Sequence, residues 1–387
     1  MRIAVIGAGA AGLLFSLLIK RRFPAWEVEV FEQNPEGATY GFGVVFSDHA
    51  LAFLERDEPE LSRIVEASME RWPMQRIVHR GQRVDVDGNG FSAIGRLALQ
   101  QVLHSLGRRA GVAVRYGRAV SSLEETAEAD LVVGADGPNS LVRTSLAAQF
   151  APKVEMLTNR FAWYGTVEPF DCLTLTFRAN EHGAFVAHHY SHEPAMSTFV
   201  VECTDETWKR AGLDHMDDAA SRAYCETVFA PDLGGRALAS NKSVWRQFPL
   251  VRNERWTARL PSGRHAVLLG DALRTVHFSI GSGTRLAFED AIALERAFAE
   301  LGDDVPLALE AFERERRPVV EKLLAAANAS SYWYERFPEK MELSPWELAY
   351  DYMTRSGRMT EERLRAQAPR FMARVDAERS ERAGAAC

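Results

Sequence analysis

Basic charge, cysteine and long apolar runs are all scarce in this chain, and each shortage removes a class of function. Of 387 residues, 46 are Lys or Arg and 53 are Asp or Glu, a formal net charge of −7. Nucleic-acid partners present basic faces, so no nucleic acid is expected. No stretch approaches the ~18 consecutive apolar residues of a membrane span, so no membrane partner is expected either. The four cysteines, Cys172, Cys203, Cys225 and Cys387, show no C-x-x-C spacing. With no export signal at the start, they read as reduced thiols in the cytoplasm. Histidines gather at His182, His188, His189 and His192, but His188 and His189 are neighbours on a strand and point to opposite faces, so no metal is expected. G-x-S-x-G is absent, which removes the nucleophile elbow of one large hydrolase class.

What is present is concentrated at the start. The apolar run Ile3-Ala4-Val5-Ile6 turns into Gly7-Ala8-Gly9-Ala10-Ala11-Gly12, a helical pattern follows, and a second apolar run ends on Glu32. Gly7 suits the tight turn, Gly9 lets backbone approach a pyrophosphate, and Gly12 lets the helix pack close to the strand. The free N–H groups of the helix end offer a seat for negative charge, and Glu32 suits a ribose hydroxyl. A signal peptide fits poorly, because Lys20-Arg21-Arg22 follows the apolar part.

Residues 47–71 read as helical. Ile77 to Phe91 reads as a hairpin, with Gly81 and Asp87-Gly88-Asn89-Gly90 as turn material. A helix from Ile94 to Arg109 carries Arg96 in its first turn, where a cation opposes the helix dipole and is either solvated or matched by an anion. Leu131 to Ala135 is a fully apolar strand ending at Asp136-Gly137. From 153 to 251 the pattern becomes that of an antiparallel sheet, with strands at Phe161–Glu168, Cys172–Arg178, Ala184–Tyr190 and Ser197–Cys203. His265 to Gly270 is a further buried strand ending at Asp271. Gly281-Ser282-Gly283-Thr284 then opens a helix from Arg285 to Leu301, and 305–387 reads as helical, broken by Pro318 and Pro338.

The expected fold is α/β: a Rossmann-like dinucleotide-binding domain in three segments (1–76, 93–152 and 255–304), a β-hairpin at 77–92, an inserted antiparallel-sheet substrate domain at 153–254 and a C-terminal helical region at 305–387. Two glycine loops on helix ends and two buried strands ending in acids suit one long cofactor threaded through a single domain.

These residues resemble the single-component flavin aromatic hydroxylases. Gly7-x-Gly9-x-x-Gly12 with Glu32 is similar to their ADP-binding motif, Asp136-Gly137 with Arg143 to their D-G motif, and Gly270-Asp271 to their G-D motif. Within the family, Gly41 to Ser47, Trp163 to Thr166, Ser197 to Glu202, His277 to Thr284 and the tail from Leu348 to Pro369 resemble the enzymes of aryl-CoA thioesters and of the violacein pathway. The resemblance implies FAD as cofactor, with NAD(P)H and O2 as co-substrates. It implies hydroxylation of an electron-rich ring through a flavin C4a-hydroperoxide, and an aryl-CoA such as salicyloyl-CoA or, alternatively, a tryptophan-derived indole as substrate. It also implies that FAD is held by Gly7, Gly9, Ala10, Ala11, Gly12, Glu32, Gln33, Gly43, Val44, Arg96, Asp136, Gly137, Gly270, Asp271, Ile280, Gly281, Ser282, Gly283 and Thr284. Phe46, Tyr164, Phe185, His188, Phe199 and Phe278 are expected at the substrate, and His277, Arg274 and His49 as polar groups near the ring. Leu273-Arg274 departs from the Ala-His usual there, and Gln33 from a frequent Arg. A flavin oxidase or dehydrogenase, or a non-catalytic FAD-binding redox partner, would share the fold. A monomer or homodimer is expected.

Overall fold

The computed structural model describes residues 1–47 and 50–385. Two sheets organise it. The first has six strands in the order Thr257–Arg259, His265–Leu268, Leu131–Gly134, Arg2–Ile6, Glu27–Phe31 and Ala113–Arg115. All neighbours are parallel except the Thr257–Arg259 pair with His265–Leu268. Helix Ala10–Arg22 packs on this sheet between helices Arg96–Ala110 and Gly283–Leu301. It is buried along nearly its whole length, which explains a sequence apolar on all sides.

The second sheet has eight strands, running Leu238–Ser240, Arg160–Thr166, Met196–Cys203, Gly183–Glu193, Leu173–Asn180, Glu70–His79, Gln82–Gly95 and Gly43–Ser47. The four strands expected between 161 and 203 are all in it. So are 43–47 and 70–95, so the second sheet takes in part of what the sequence placed in the first domain's opening segment and in a separate hairpin. That hairpin turns at Arg80-Gly81, both left-handed with φ of 50° and 77°, the geometry a two-residue turn needs. The expected turn residues Asp87 to Gly90 lie within a strand instead. Their polarity serves another contact: the Asp87 carboxylate accepts from the Arg370 and Phe371 amides at the start of helix Pro369–Ala385, at 3.2 and 2.9 Å.

Alternation divides the second sheet. Tyr164, Phe185, Phe199 and Val201 pack on one face against Cys225 and Phe229 of the 205–230 helical region. Leu175, Phe177, Val186 and Ile77 pack on the other, against Tyr334, Phe337, Leu348 and Phe371 of the C-terminal region. Pro318 does not break that region, contrary to expectation: it lies inside the continuous helix Val305–Glu335. A helix-interior proline costs about 3 kcal/mol, here offset by burial of Phe312, Val320, Leu323 and Leu324 along one stripe. Pro338 does fall beyond the helix end, in a short 3-10 turn.

A buried ion network ties helix Gly283–Leu301 to its surroundings. Arg274 donates to both carboxylate oxygens of Asp290 at 2.8 and 2.7 Å, and Arg316 reaches Asp290 at 3.2 Å and Glu289 at 2.9 Å. Asp290 is 0% exposed. Truncating it strands the buried Arg274 guanidinium and leaves Arg316 with Glu289 alone, so Asp290→Ala is expected to lower unfolding free energy by about 3–5 kcal/mol, measured by urea denaturation. A loss below about 1 kcal/mol would show the network to be dispensable.

Candidate active site

Three loops meet at one edge of the six-stranded sheet. Ile6, Gly134 and Leu268 sit side by side in register, so Gly7, Ala135-Asp136 and Gly270-Asp271 leave the sheet together. Gly7 has φ +103°, and a Cβ there would collide with the Ala135 carbonyl; one on Gly12 would collide with the Gly7 carbonyl. Gly9 differs: its Cβ would meet nothing nearer than the Ala135 oxygen at 4.0 Å and would project into open space. Arg143 fastens the second loop to the third by donating to the Pro138 and Ala272 carbonyls.

Open space continues into a cavity of about 580 Å³ lined by Gly7, Gly9, Glu32, Gln33, Arg96, Asp136, Gly137 and Asp271. Glu32 is held in place by the Ala8 amide on one oxygen (2.9 Å) and Asn34 on the other (2.8 and 2.7 Å). Asp136 accepts from the Leu141 amide at 2.6 Å, while its other oxygen and Arg96 Nε have no partner among the described residues. Burial raises the pKa of Asp136 and Asp271 and lowers that of Arg96, with Arg96 and Asp271 pulling each other back toward charge. Asp271 keeps free surface, and that surface opens onto the cavity.

Arg96 marks the passage to a second cavity, because its guanidinium lies 5.7 Å from the Trp163 ring centre and Trp163 lines that cavity. The second space, about 420 Å³, is walled by Val45, Trp163, Leu175, His188, Tyr190, Phe278 and the Ile280-Gly281-Ser282 backbone. Helix Gly283–Leu301 starts from that backbone. Arg285, Arg355, Arg358 and Arg363 also line it, with no carboxylate among its lining residues.

Several expected residues lie elsewhere. Tyr164, Phe185 and Phe199 occupy the far face of the second sheet, because their positions have the opposite parity to Trp163, His188 and Val200. Phe46 and Val44 point into the first domain's core, and Val45 between them faces the cavity. Arg274 pairs through Nη2 with Asp290 and lines neither cavity, so it is out of reach of a substrate there. His277 sits behind Phe278, with ring centres 4.2 Å apart. Burial and then Arg355 push its pKa down to about 3, and it lines neither cavity. His49 lies outside the described residues. Ala10, Ala11, Gly12 and Gly270 shape the first loop from behind, since a Cβ on Gly270 would meet Ala11 Cβ at 3.1 Å. Gly43 bonds through its amide to Thr198 Oγ1 and through its carbonyl to Tyr190 Oη. Gly283 and Thr284 begin the helix. The reading from sequence overlooked Tyr190, Tyr352 and the tail arginines as cavity residues, although the alternation of strand Gly183–Glu193 already aligns Tyr190 with His188.

A narrow cavity along a glycine loop, a fixed acid for a ribose, unpaired polar atoms at its floor and an aromatic chamber at its end together fit a dinucleotide with a long bridging chain. Residues 100–327 match the FAD binding domain family. The chain belongs to this family, and it is a FAD-dependent aromatic hydroxylase. It is 39% identical over 366 residues to a salicyloyl-CoA 5-hydroxylase from Streptomyces sp, covering 92% of this chain and 70% of the relative. It is 35% identical over 365 residues to protodeoxyviolaceinate monooxygenase of Chromobacterium violaceum, covering 92% and 94%. A solved tetrameric form of 2-methyl-3-hydroxypyridine-5-carboxylic acid oxygenase shares the fold, with a TM-score of 0.69 over 95% of both chains at 18% identity. Among the described residues, no helix is long and apolar enough to cross a membrane.

Gly9→Leu is expected to fold with a near-normal melting temperature yet fill the space the cofactor needs. Its Kd for FAD should rise at least about a hundredfold, equivalent to about 2.7 kcal/mol, read by flavin fluorescence quenching. Unchanged affinity would place the cofactor elsewhere.

Proposed function

We propose that this chain hydroxylates an electron-rich aromatic ring carried as a CoA thioester, with salicyloyl-CoA as the first candidate, using NAD(P)H and O2 in the cytoplasm as a monomer or homodimer. The observation that carries this reading is the lining of the second cavity: aromatic and aliphatic at its inner end, and bordered by four arginines with no carboxylate. Such a space suits a planar ring with a long anionic arm. Arg355 is already spent on Ser330, Tyr352 and Ser279, and Arg285 pairs with Glu289. Arg358 and Arg363 are exposed and have no carboxylate partner among the described residues, so they are the cations offered to phosphate.

Gly7, Gly9, Glu32, Arg96, Asp136 and Asp271 would hold FAD, and the Ile280–Thr284 backbone would meet its ring with N–H dipoles. Bound FAD supplies hydride acceptance and dioxygen activation. The chain's own contribution is to orient the substrate and exclude water, through Trp163, Tyr190 and Phe278. The relative that acts on protodeoxyviolaceinate supports a second reading, an indole substrate, in which the tail arginines would be idle.

The test is substrate-stimulated NAD(P)H oxidation across salicyloyl-CoA, aminobenzoyl-CoA, free salicylate and indoles, with mass spectrometry for a gain of one oxygen. Stimulation and oxygen insertion by the thioesters are expected; response to indoles alone would overturn the CoA reading. Reversing Arg358 and Arg363 to Glu together should raise KM for the CoA substrate about tenfold, as exposed ion pairs are worth about 0.5–1 kcal/mol each, with kcat little changed.

A further inference from the structure

At the wall of the second cavity and just behind it lie two buried polar side chains that lack part of their hydrogen bonding. His188 on strand Gly183–Glu193 pairs across the ladder with Val200, and Glu202 stands two residues further along the neighbouring strand, on the same face. His188 Nε2 and Glu202 Oε2 are 3.9 Å apart, and neither atom has a hydrogen-bond partner among the described residues. The carboxyl is 1% exposed and the imidazole 7%.

Both groups are held in place. The His188 ring stacks on Tyr334 at 5.0 Å between centres and meets the edge of Phe278 at 5.4 Å. Glu202 Oε1 accepts from Asn159 Nδ2 at 2.8 Å, and Asn159 is itself fixed by the Tyr334 carbonyl and Glu335. Buried carboxyls seldom stay half-satisfied without a use. His188 also lines the cavity, so it is the only member of the pair that a substrate touches.

We propose that His188 takes the proton of a hydroxyl on the bound aromatic ring and that Glu202 is its positioning residue and proton acceptor. In that step the substrate O–H bond breaks and an N–H bond forms at His188 Nδ1. The Nε2 proton passes to the Glu202 carboxylate, leaving a phenolate, a neutral imidazole of the other tautomer and a neutral carboxyl. No oxidant or reductant takes part. The ring gains the electron density that electrophilic hydroxylation requires. This rests on the reading of the substrate as a hydroxylated aromatic.

The surroundings explain why His188 needs a second group. Burial, then His277, Arg355 and His189, holds its pKa well below the ordinary value, so the imidazole does not retain a proton alone. Burial, with Glu335 beyond Asn159, pushes Glu202 up to about 8. Tyr334, also facing the pair, stays protonated because burial raises its pKa. Below pH about 8 the carboxyl is protonated and cannot accept; above it the acceptor is available.

The pair is tested first without ligand. Infrared difference spectra of the FAD-loaded enzyme against Glu202→Gln should contain a protonated-carboxyl C=O band that disappears as pH rises through about 8, and His188→Gln should shift that band. A band absent, or indifferent to His188→Gln, overturns the proposal. With salicyloyl-CoA, kcat/KM of the native enzyme should rise up to pH about 8 and then level off. Glu202→Gln and His188→Gln should flatten that rise with KM changed less than about threefold, and Glu202→Asp should restore part of it. Unchanged pH profiles in both Gln variants overturn it. Should salicyloyl-CoA not bind at all, the substrate reading falls by itself and the infrared coupling still decides the pair.

Discussion

The structure depends on three strands from distant parts of the chain ending at one level. Arg2–Ile6, Leu131–Gly134 and His265–Leu268 pair in parallel with Ile6, Gly134 and Leu268 in line. Each strand is short and nearly all buried, so the ladder and its apolar faces fix their relative height. The loops that follow then share one edge, the position where open parallel sheets bind ligands. Gly7 lacks a Cβ because the Ala135 carbonyl occupies that space, and Arg143 locks the remaining two loops together.

The second cavity arises from a different constraint, the two-residue period of the eight-stranded sheet. One face is filled by the 205–230 helices and becomes ordinary core. The other is shared between the C-terminal region and the chamber where Trp163, His188 and Tyr190 look out. The C-terminal segment is therefore part of the site's wall. Arg355 makes that concrete: it lies 3.6 Å over the Tyr352 ring and donates to the Ser279 carbonyl, joining the tail to the second glycine loop.

Several buried polar atoms without partners among the described residues border the cavities. Arg96 Nε, Asp136 Oδ1, Trp163 Nε1 and His188 Nε2 are buried without a partner among the described residues and belong to residues lining the two cavities or the passage between them, while others, such as Trp208 Nε1 and Asn253 Oδ1, lie away from both. Unmet hydrogen-bonding capacity costs stability. At Arg96 and Asp136 that capacity is left open toward the first cavity, where a polar ligand would meet it.

The residues by themselves determined the first glycine loop, because Gly7, Gly9, Gly12 and Glu32 are local in sequence and their spacing encodes a turn, an open approach and a fixed acid. They also marked Asp136 and Asp271, since a fully apolar strand ending in an acid is readable without knowing its neighbours. They could not assign the faces of the second sheet: Tyr164 and Trp163 are adjacent and equally aromatic, and only the helices covering one side decide which looks into the cavity. Nor could they reveal that Arg274 is buried against Asp290, or that Glu202 stands behind His188. Those relations join residues on different elements, and their distances are set by packing, which no local pattern records.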